Sequence, residues 1–187
     1  MLEALELPVR LATPGSTMTV RRAVEDDLNA IMRLLSDDPV SAARGDVADD
    51  SDEPHYRRAL AAILADPGND LVVVVDDSAT VIGTLQLTAI PGMARRGSAR
   101  LLVEAVRVDS SRRSGGVGGG LMTWVVDVAA PSLGCSIVQL TSDRAREDAH
   151  RFYERLGFVP SHTGFKYAVR AADEARSDLT DGADTQR

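Results

Sequence analysis

The clearest pattern in the chain is an unbroken apolar run, Leu71 to Val75, followed by the turn Asp76-Asp77-Ser78 and a second strand from Thr80 to Thr88 with Gly83 inside it. This predicts a β-hairpin. Upstream, a short strand from Thr19 to Arg22 leads into Glu25-Asp26-Asp27, acidic residues suited to the first turn of a helix. Leu28, Ile31, Met32 and Leu35 then repeat at helical spacing and predict a core-facing helix that ends near Asp38-Pro39. Pro54 opens a second helix at the position that favours proline, and Tyr56, Leu60, Ile63 and Leu64 give it a partial apolar stripe. Downstream, Arg100 to Val108 reads as a third long strand. Leu121, Trp124, Val125 and Val128 read as a helix stopped by Pro131, with Trp124 in the core. Ile137 to Leu140 is a short strand. Ala149, Phe152, Tyr153 and Leu156 form one face of a last helix that Gly157 terminates; Phe158 starts a strand, and Phe165 to Val169 is the final one.

The ends and one internal segment lack such periods. Residues 1–17 contain Pro8, Pro14 and Gly15 and read as a flexible leader; residues 171–187 are polar, charge-rich and expected to be disordered; residues 18–170 form the domain between them. Val40 to Asp52 is polar and small, and is expected to be a mobile loop. Its acidic residues, with those that follow (Asp46, Asp49, Asp50, Asp52 and Glu53), either steer an amine or are simply solvated. Arg95 and Arg96, in the connection from 91 to 99, either meet a phosphate or are solvated.

Length and composition narrow the class. A chain of 187 residues with 44% hydrophobic residues suits one domain with an ordinary core. The net charge of −7 argues against a nucleic-acid-binding surface and leans toward cationic partners such as amines. A single cysteine, Cys135, excludes an internal disulfide, and reads as a buried thiol unless it is a nucleophile. No stretch is long and apolar enough to span a membrane, and no secretory signal is evident, so a cytoplasmic protein is expected. His55, His150 and His162 show no metal-ligand spacing, His150 is expected to be exposed, and no metal is inferred.

The chemistry concentrates where the third long strand ends. In Val106-Arg-Val-Asp-Ser-Ser-Arg-Arg-Ser-Gly-Gly-Val-Gly-Gly-Gly-Leu121, five of the fifteen glycines of the chain follow a strand and open a helix. Backbone N–H groups can converge there on one point, and the helix N-terminus adds a positive dipole end. This is an anion cradle, suited to phosphate. No Lys follows the glycines as a P-loop requires, and Leu121 stands where a dinucleotide fingerprint needs its third glycine. What fits is Arg113-x-x-Gly116-x-Gly118, which closely resembles the R-x-x-G-x-G signature of the GNAT superfamily of acyl-CoA-dependent N-acyltransferases. Ala149-x-x-Phe152-Tyr153-x-x-x-Gly157-Phe158 is similar to the C-terminal motif of the same superfamily.

The resemblance, over roughly residues 18 to 170, implies a mixed α/β (α+β) fold: a mostly antiparallel central sheet flanked by about four helices. The two middle strands that precede the glycine loop and the tyrosine helix would splay apart. It implies acetyl-CoA as acyl donor. The pantetheine would pair with the edge of Val106, Arg107 and Val108, and the pyrophosphate would sit on Arg113, Ser114, Gly115, Gly116, Val117, Gly118 and Gly119. Tyr153 matches the tyrosine that protonates the departing thiolate, unless it only packs on its helix face. Glu104 is the candidate base, placed with Val106 and Val108 on one strand face by alternation, and its place inside an apolar strand suggests burial. Its alternative is a salt bridge with Arg100 or Arg107. Arg146 stands where many members carry an Asn that contacts the cofactor; it either meets the CoA phosphates or brackets the acceptor. The implied activity is transfer of an acetyl group to a primary amine of a small molecule or peptide by direct attack in a ternary complex. A catalytically inactive acyl-CoA-binding sensor or scaffold of the same fold is the alternative. Homodimers are frequent in the superfamily, and the sequence leaves the oligomeric state open.

Overall fold

The computed structural model describes residues 2–169, apart from 14, 15, 44, 46 and 168. Six strands form one sheet in chain order: β1 (Val9–Thr13), β2 (Ser16–Arg22), β3 (Asn69–Val75), β4 (Val81–Ile90), β5 (Ala99–Val108) and β6 (Cys135–Leu140). Every neighbouring pair is antiparallel except β5 and β6, which run parallel. The helices are α1 (Leu28–Ser36), the short α2 (Pro39–Ala42), α3 (Glu53–Ala65), a left-handed turn α4 (Ala94–Gly97), α5 (Val117–Trp124), α6 (Ala130–Ser132) and α7 (Glu147–Arg155). A π turn over Val125–Ala129 joins α5 to α6, so Pro131 sits in the last turn of a continuous helix.

The continuous apolar character of β3 follows from burial on both faces. Val72 and Val74 join Val20, Leu85, Leu87, Leu101 and Val103 beneath α5 and the π turn, where Leu121, Met122, Trp124 and Val125 are buried. Leu71, Val73 and Val75 face the other way, against Leu28, Ile31, Met32 and Leu34 of α1 and Leu60 of α3.

Three expectations need correction. The segment expected as a leader is folded in its described part: residues 2–13 hold a helical turn at Leu2–Ala4 and strand β1, which pairs with β2. Leu2 and Leu5 are buried, and the Arg22 guanidinium ties the segment down by donating to the Leu2 and Leu5 carbonyls and to Asp70. The loop from Val40 begins inside α2, with Ser41 buried. Among the described residues Phe158 starts no strand, and residues 165–167 and 169 carry none; Phe165, Tyr167 and Val169 are exposed. Residue 168, Asp46 and the tail from 171 lie outside the described residues.

The expected splay lies between β5 and β6. Their pairing runs from Ala99↔Cys135 to Val103↔Leu140, after which β5 continues to Val108 paired with β4 only. Where it separates, β5 carries a bulge: Gln86 pairs with Glu104 and Thr84 with Arg107, so Ala105 and Val106 together oppose Leu85. Ala105 adopts φ 50°, a left-handed conformation.

Candidate active site

After β5 the chain enters a turn fixed by side chains. Asp109 accepts from the Ser111 amide at 3.0 Å and from the Arg33 guanidinium at 2.8 Å; Asp37 accepts from the Ser110 amide at 2.7 Å. Arg113 donates through Nε to the Val108 carbonyl at 3.2 Å and through Nη2 to the Asp37 carbonyl at 2.5 Å, which pins the turn to the end of α1. Ser114 and Gly116 adopt φ 64° and 85°, reversing the chain into α5. The first bond of that helix runs from the Gly120 N–H to the Gly116 carbonyl at 2.8 Å, so the amides of Val117, Gly118 and Gly119 precede it without helical acceptors. A Cβ on Gly119 would meet nothing within 4 Å, so the backbone there is open to approach. Gly118 packs instead against Phe152 and Val108, which draws α7 toward the turn.

The free edge of β5 lies beside this turn. The Asp109 N–H bonds to the Ile82 carbonyl of β4. By alternation the backbone groups of Val108 and Val106 face the other way, into the splay. Their carbonyls accept from Arg113 Nε and, at 2.8 Å, from Arg107 Nη1.

Across the splay stands α7. The Phe158 N–H bonds to the Tyr153 carbonyl and the Gly157 N–H to the Glu154 carbonyl, with Gly157 at φ 88° and the Tyr153 and Phe158 rings 5.8 Å apart. That is a Schellman termination with its hydrophobic contact, and it holds the Tyr153 ring edge-on between Phe152 and Phe158. Burial pushes the Tyr153 phenol above its ordinary pKa, and the charges of Arg107 and Arg146 pull against that rise. The phenol therefore keeps its proton at neutral pH and is a donor.

The two arginines meet at a residue that the motifs do not include. Ser41 Oγ accepts from Arg107 Nη2 at 2.6 Å and from Arg146 Nη2 at 3.0 Å, while the Ser41 amide donates to Asp38 at 2.8 Å and Arg146 also donates to Asp38. Burial alone would raise the Asp38 pKa; hydrogen bonds from Ser41 and the charges of Arg146 and Arg107 outweigh it and hold the carboxyl below its usual range.

Among the residues expected from the sequence, Arg107, Arg146 and Tyr153 are brought together here, and Val106, Val108 and Arg113 to Gly119 line the adjoining edge and turn. Glu104 is a correction. The bulge breaks the alternation on which its placement relied, so Glu104 shares the face of Arg107 rather than that of Val106 and Val108, and it is exposed rather than buried. Cys135 is buried at the far end of β6, and burial raises its thiol pKa, which makes it a poor nucleophile. His150 is half-buried, with Nε2 donating to the Asp143 carbonyl at 2.8 Å, rather than exposed. Asp38 and Ser41 were the omissions. Their signal lies in the sequence: Asp followed by Pro marks a helix start, with Asp as cap and Pro at the first position, so Asp38-Pro39 opens α2 as well as closing α1.

No group of three or more potential metal ligands occurs among the described residues, and none of their helices is long and apolar enough to cross a membrane. The model of the acetyltransferase (GNAT) family matches residues 28–158. Among solved structures the chain is similar to a transcriptional regulator from Bacillus halodurans C-125, with 37% identity, a TM-score of 0.74 and coverage of 81% of this chain and 99% of that one. It is also similar to a putative acetyltransferase from Agrobacterium tumefaciens str. C58, at 26% identity and TM-score 0.67 over 80% and 99% of the two chains. An acetyltransferase from Trypanosoma brucei shares the fold at 24% identity and TM-score 0.64, over 81% and 99%. No curated protein matches the chain.

Proposed function

Since the chain belongs to the acetyltransferase (GNAT) family, we propose that it is an N-acetyltransferase that carries an acetyl group from acetyl-CoA to a primary amine by direct attack in a ternary complex. One observation carries this reading. The edge of β5 that β6 leaves open runs straight into a turn in which the Val117, Gly118 and Gly119 amides have no helical acceptor, and a proton-bearing phenol stands across the gap on the helix that follows β6.

The residues present fit the donor. The backbone of Val106, Arg107 and Val108 would pair with the pantetheine, and the turn from Ser114 to Gly119 would hold the pyrophosphate on amides at a helix N-terminus. Arg113 belongs to this set as the residue that holds the turn, through Asp37 and the Val108 carbonyl. Acetyl-CoA, when bound, supplies an acetyl group activated as a thioester. Glu104 takes a proton from the ammonium of the acceptor, directly or through water, leaving the neutral amine that reacts. A nitrogen–carbon bond then replaces the carbon–sulfur bond, Tyr153 gives its phenolic proton to the departing sulfur, and the proton that the acylated nitrogen sheds returns to the Tyr153 oxygen. Arg146 lies beside Tyr153 rather than at the glycine turn, which favours a place next to the acceptor over one on the CoA phosphates.

Calorimetric titration with acetyl-CoA, beside ATP and NAD, tests the donor site. Saturable binding of acetyl-CoA alone is expected, and Gly116→Asp should abolish it by placing a carboxylate and a strained φ at the cradle. Tyr153→Phe should lower turnover about 100-fold while acetyl-CoA still binds. A wild-type protein that binds acetyl-CoA but releases no thiol with any amine would instead be the inactive sensor, and one that does not bind it would overturn the reading.

A further inference from the structure

The sequence contains twenty arginines and one lysine, Lys166. An acyl donor meets these two side chains differently. A guanidinium stays protonated in proteins, whereas a lysine ammonium can lose a proton and present a nucleophilic nitrogen. In a protein whose site suits transfer to a primary amine, Lys166 is therefore the one basic side chain that can also be a substrate.

Its place in the chain brings it within reach of that site. Phe158 packs against the same core cluster as Tyr153, Val106 and Val108, and its ring lies 5.8 Å from that of Tyr153. The segment that carries Lys166 thus leaves from the wall of the splay. Residues 159–167 are exposed throughout and carry neither helix nor strand, so packing does not hold them away from the opening. Phe165 and Tyr167, on either side of the lysine, are 93% and 91% exposed. Lys166 follows Phe158 by eight residues, a contour of at most about 26–29 Å, and Pro160 and Gly164 let such a segment turn back. An unstructured connection of this length keeps its end at an effective concentration of roughly millimolar near its start. Loops of about ten residues close in roughly 10–100 ns, so the return of the lysine does not limit turnover.

Resting on the acetyl-transfer reading, we infer that Lys166 is an acceptor within the protein itself, its ε-amine acetylated in cis at the site between β5 and α7. The Lys166 ammonium gives a proton to Glu104, which passes it to solvent. The ε-nitrogen forms the amide bond as the thioester carbon–sulfur bond breaks, and the sulfur leaves with the Tyr153 proton. The proton that the acylated nitrogen sheds returns to the Tyr153 oxygen, so the site is restored and the lysine has lost its charge. That charge is the only one between Phe165 and Val169, and its loss leaves this stretch wholly uncharged.

The test incubates the full chain with acetyl-CoA carrying an isotopically labelled acetyl group and reads the protein by intact mass and peptide mapping. A single acetyl group on Lys166 is expected. Its rate per molecule should stay constant over a roughly tenfold range of protein concentration, because an intramolecular acceptor is not diluted. The rate should level off with acetyl-CoA at the Kd that calorimetry gives, whereas acetylation by thioester in bulk solution rises in proportion to it. Tyr153→Phe should slow the labelling about 100-fold. Lys166→Arg should remove the label and leave the affinity for acetyl-CoA unchanged. The inference is overturned by a label that is absent from Lys166, by one that grows without saturation, or by one whose rate per molecule rises with protein concentration, which marks transfer between copies. Failure of the wild-type protein to bind acetyl-CoA would remove the acetyl-transfer reading and this inference with it. Thiol release with an added amine while Lys166 stays unlabelled removes this inference alone.

Discussion

The two halves of β5 differ in both pairing and burial. Ala99 to Val103 is paired on both edges, and Leu101 and Val103 are 0% and 1% exposed. Glu104 to Val108 is paired on one edge only, and none of its residues is buried. A single inserted residue, Ala105, separates them. The first half serves stability because its ladder and its side chains are closed off. The second leaves backbone groups facing the splay, and an edge of this kind attracts any chain that can pair with it. In this protein arginines cover it: Arg107 and Arg113 donate to the Val106 and Val108 carbonyls. The same two side chains reach Ser41 and Asp37, so the covering of the edge and the position of the α1–α2 segment are set together.

Breaking the closed half should have the largest effect. Leu101→Ala removes a fully buried side chain between the sheet and α5 and should cost about 2–5 kcal/mol, read as a lower urea midpoint. The difference between the halves sharpens if the bulge is relaxed: at φ 50° an alanine is strained, so Ala105→Gly should raise stability by roughly 0.5–1 kcal/mol in the same titration, and an unchanged midpoint would mean that the bulge carries no strain. The smallest effect should be the pH response of the cluster over the open half. The Asp38 pKa is lowered in the folded protein, so its contribution is present above the pKa of an unfolded Asp, about 4, and is lost as pH falls through the lower folded value. The burial-raised pKa of Asp70 acts in the opposite sense, adding stability as pH falls from its folded value toward 4. Asp38→Asn should therefore make stability less dependent on pH below 4, as followed by acid denaturation.

Much of this architecture was legible in the residues because it is local. The hairpin of β3 and β4, the helices α1, α3, α5 and α7, the glycine turn and the Gly157 termination each depend on a period, a cap or a φ that a few neighbouring residues dictate. Residues 9–13 offered no such signal. Val9, Leu11 and Thr13 are only partly buried on an edge strand, and their pairing with β2 is non-local. The segment Pro39–Ala42 was hidden for a different reason: Asp38-Pro39 serves as the stop of one helix and the start of the next, and the first meaning obscured the second.

The sequence by itself determined the hairpin of β3 and β4, the helices α1, α3 and α5, the phosphate-suited turn after β5 and the helix that presents Tyr153, because chain-local sterics and hydrophobic periods suffice for these. Tertiary structure alone decided which side of the sheet Glu104 occupies and where the guanidiniums of Arg107 and Arg146 meet. The first is set by a bulge, in which one extra residue reverses every later side chain on the strand. The second is set by a buried hydroxyl more than a hundred residues from Arg146, to which only packing could bring it.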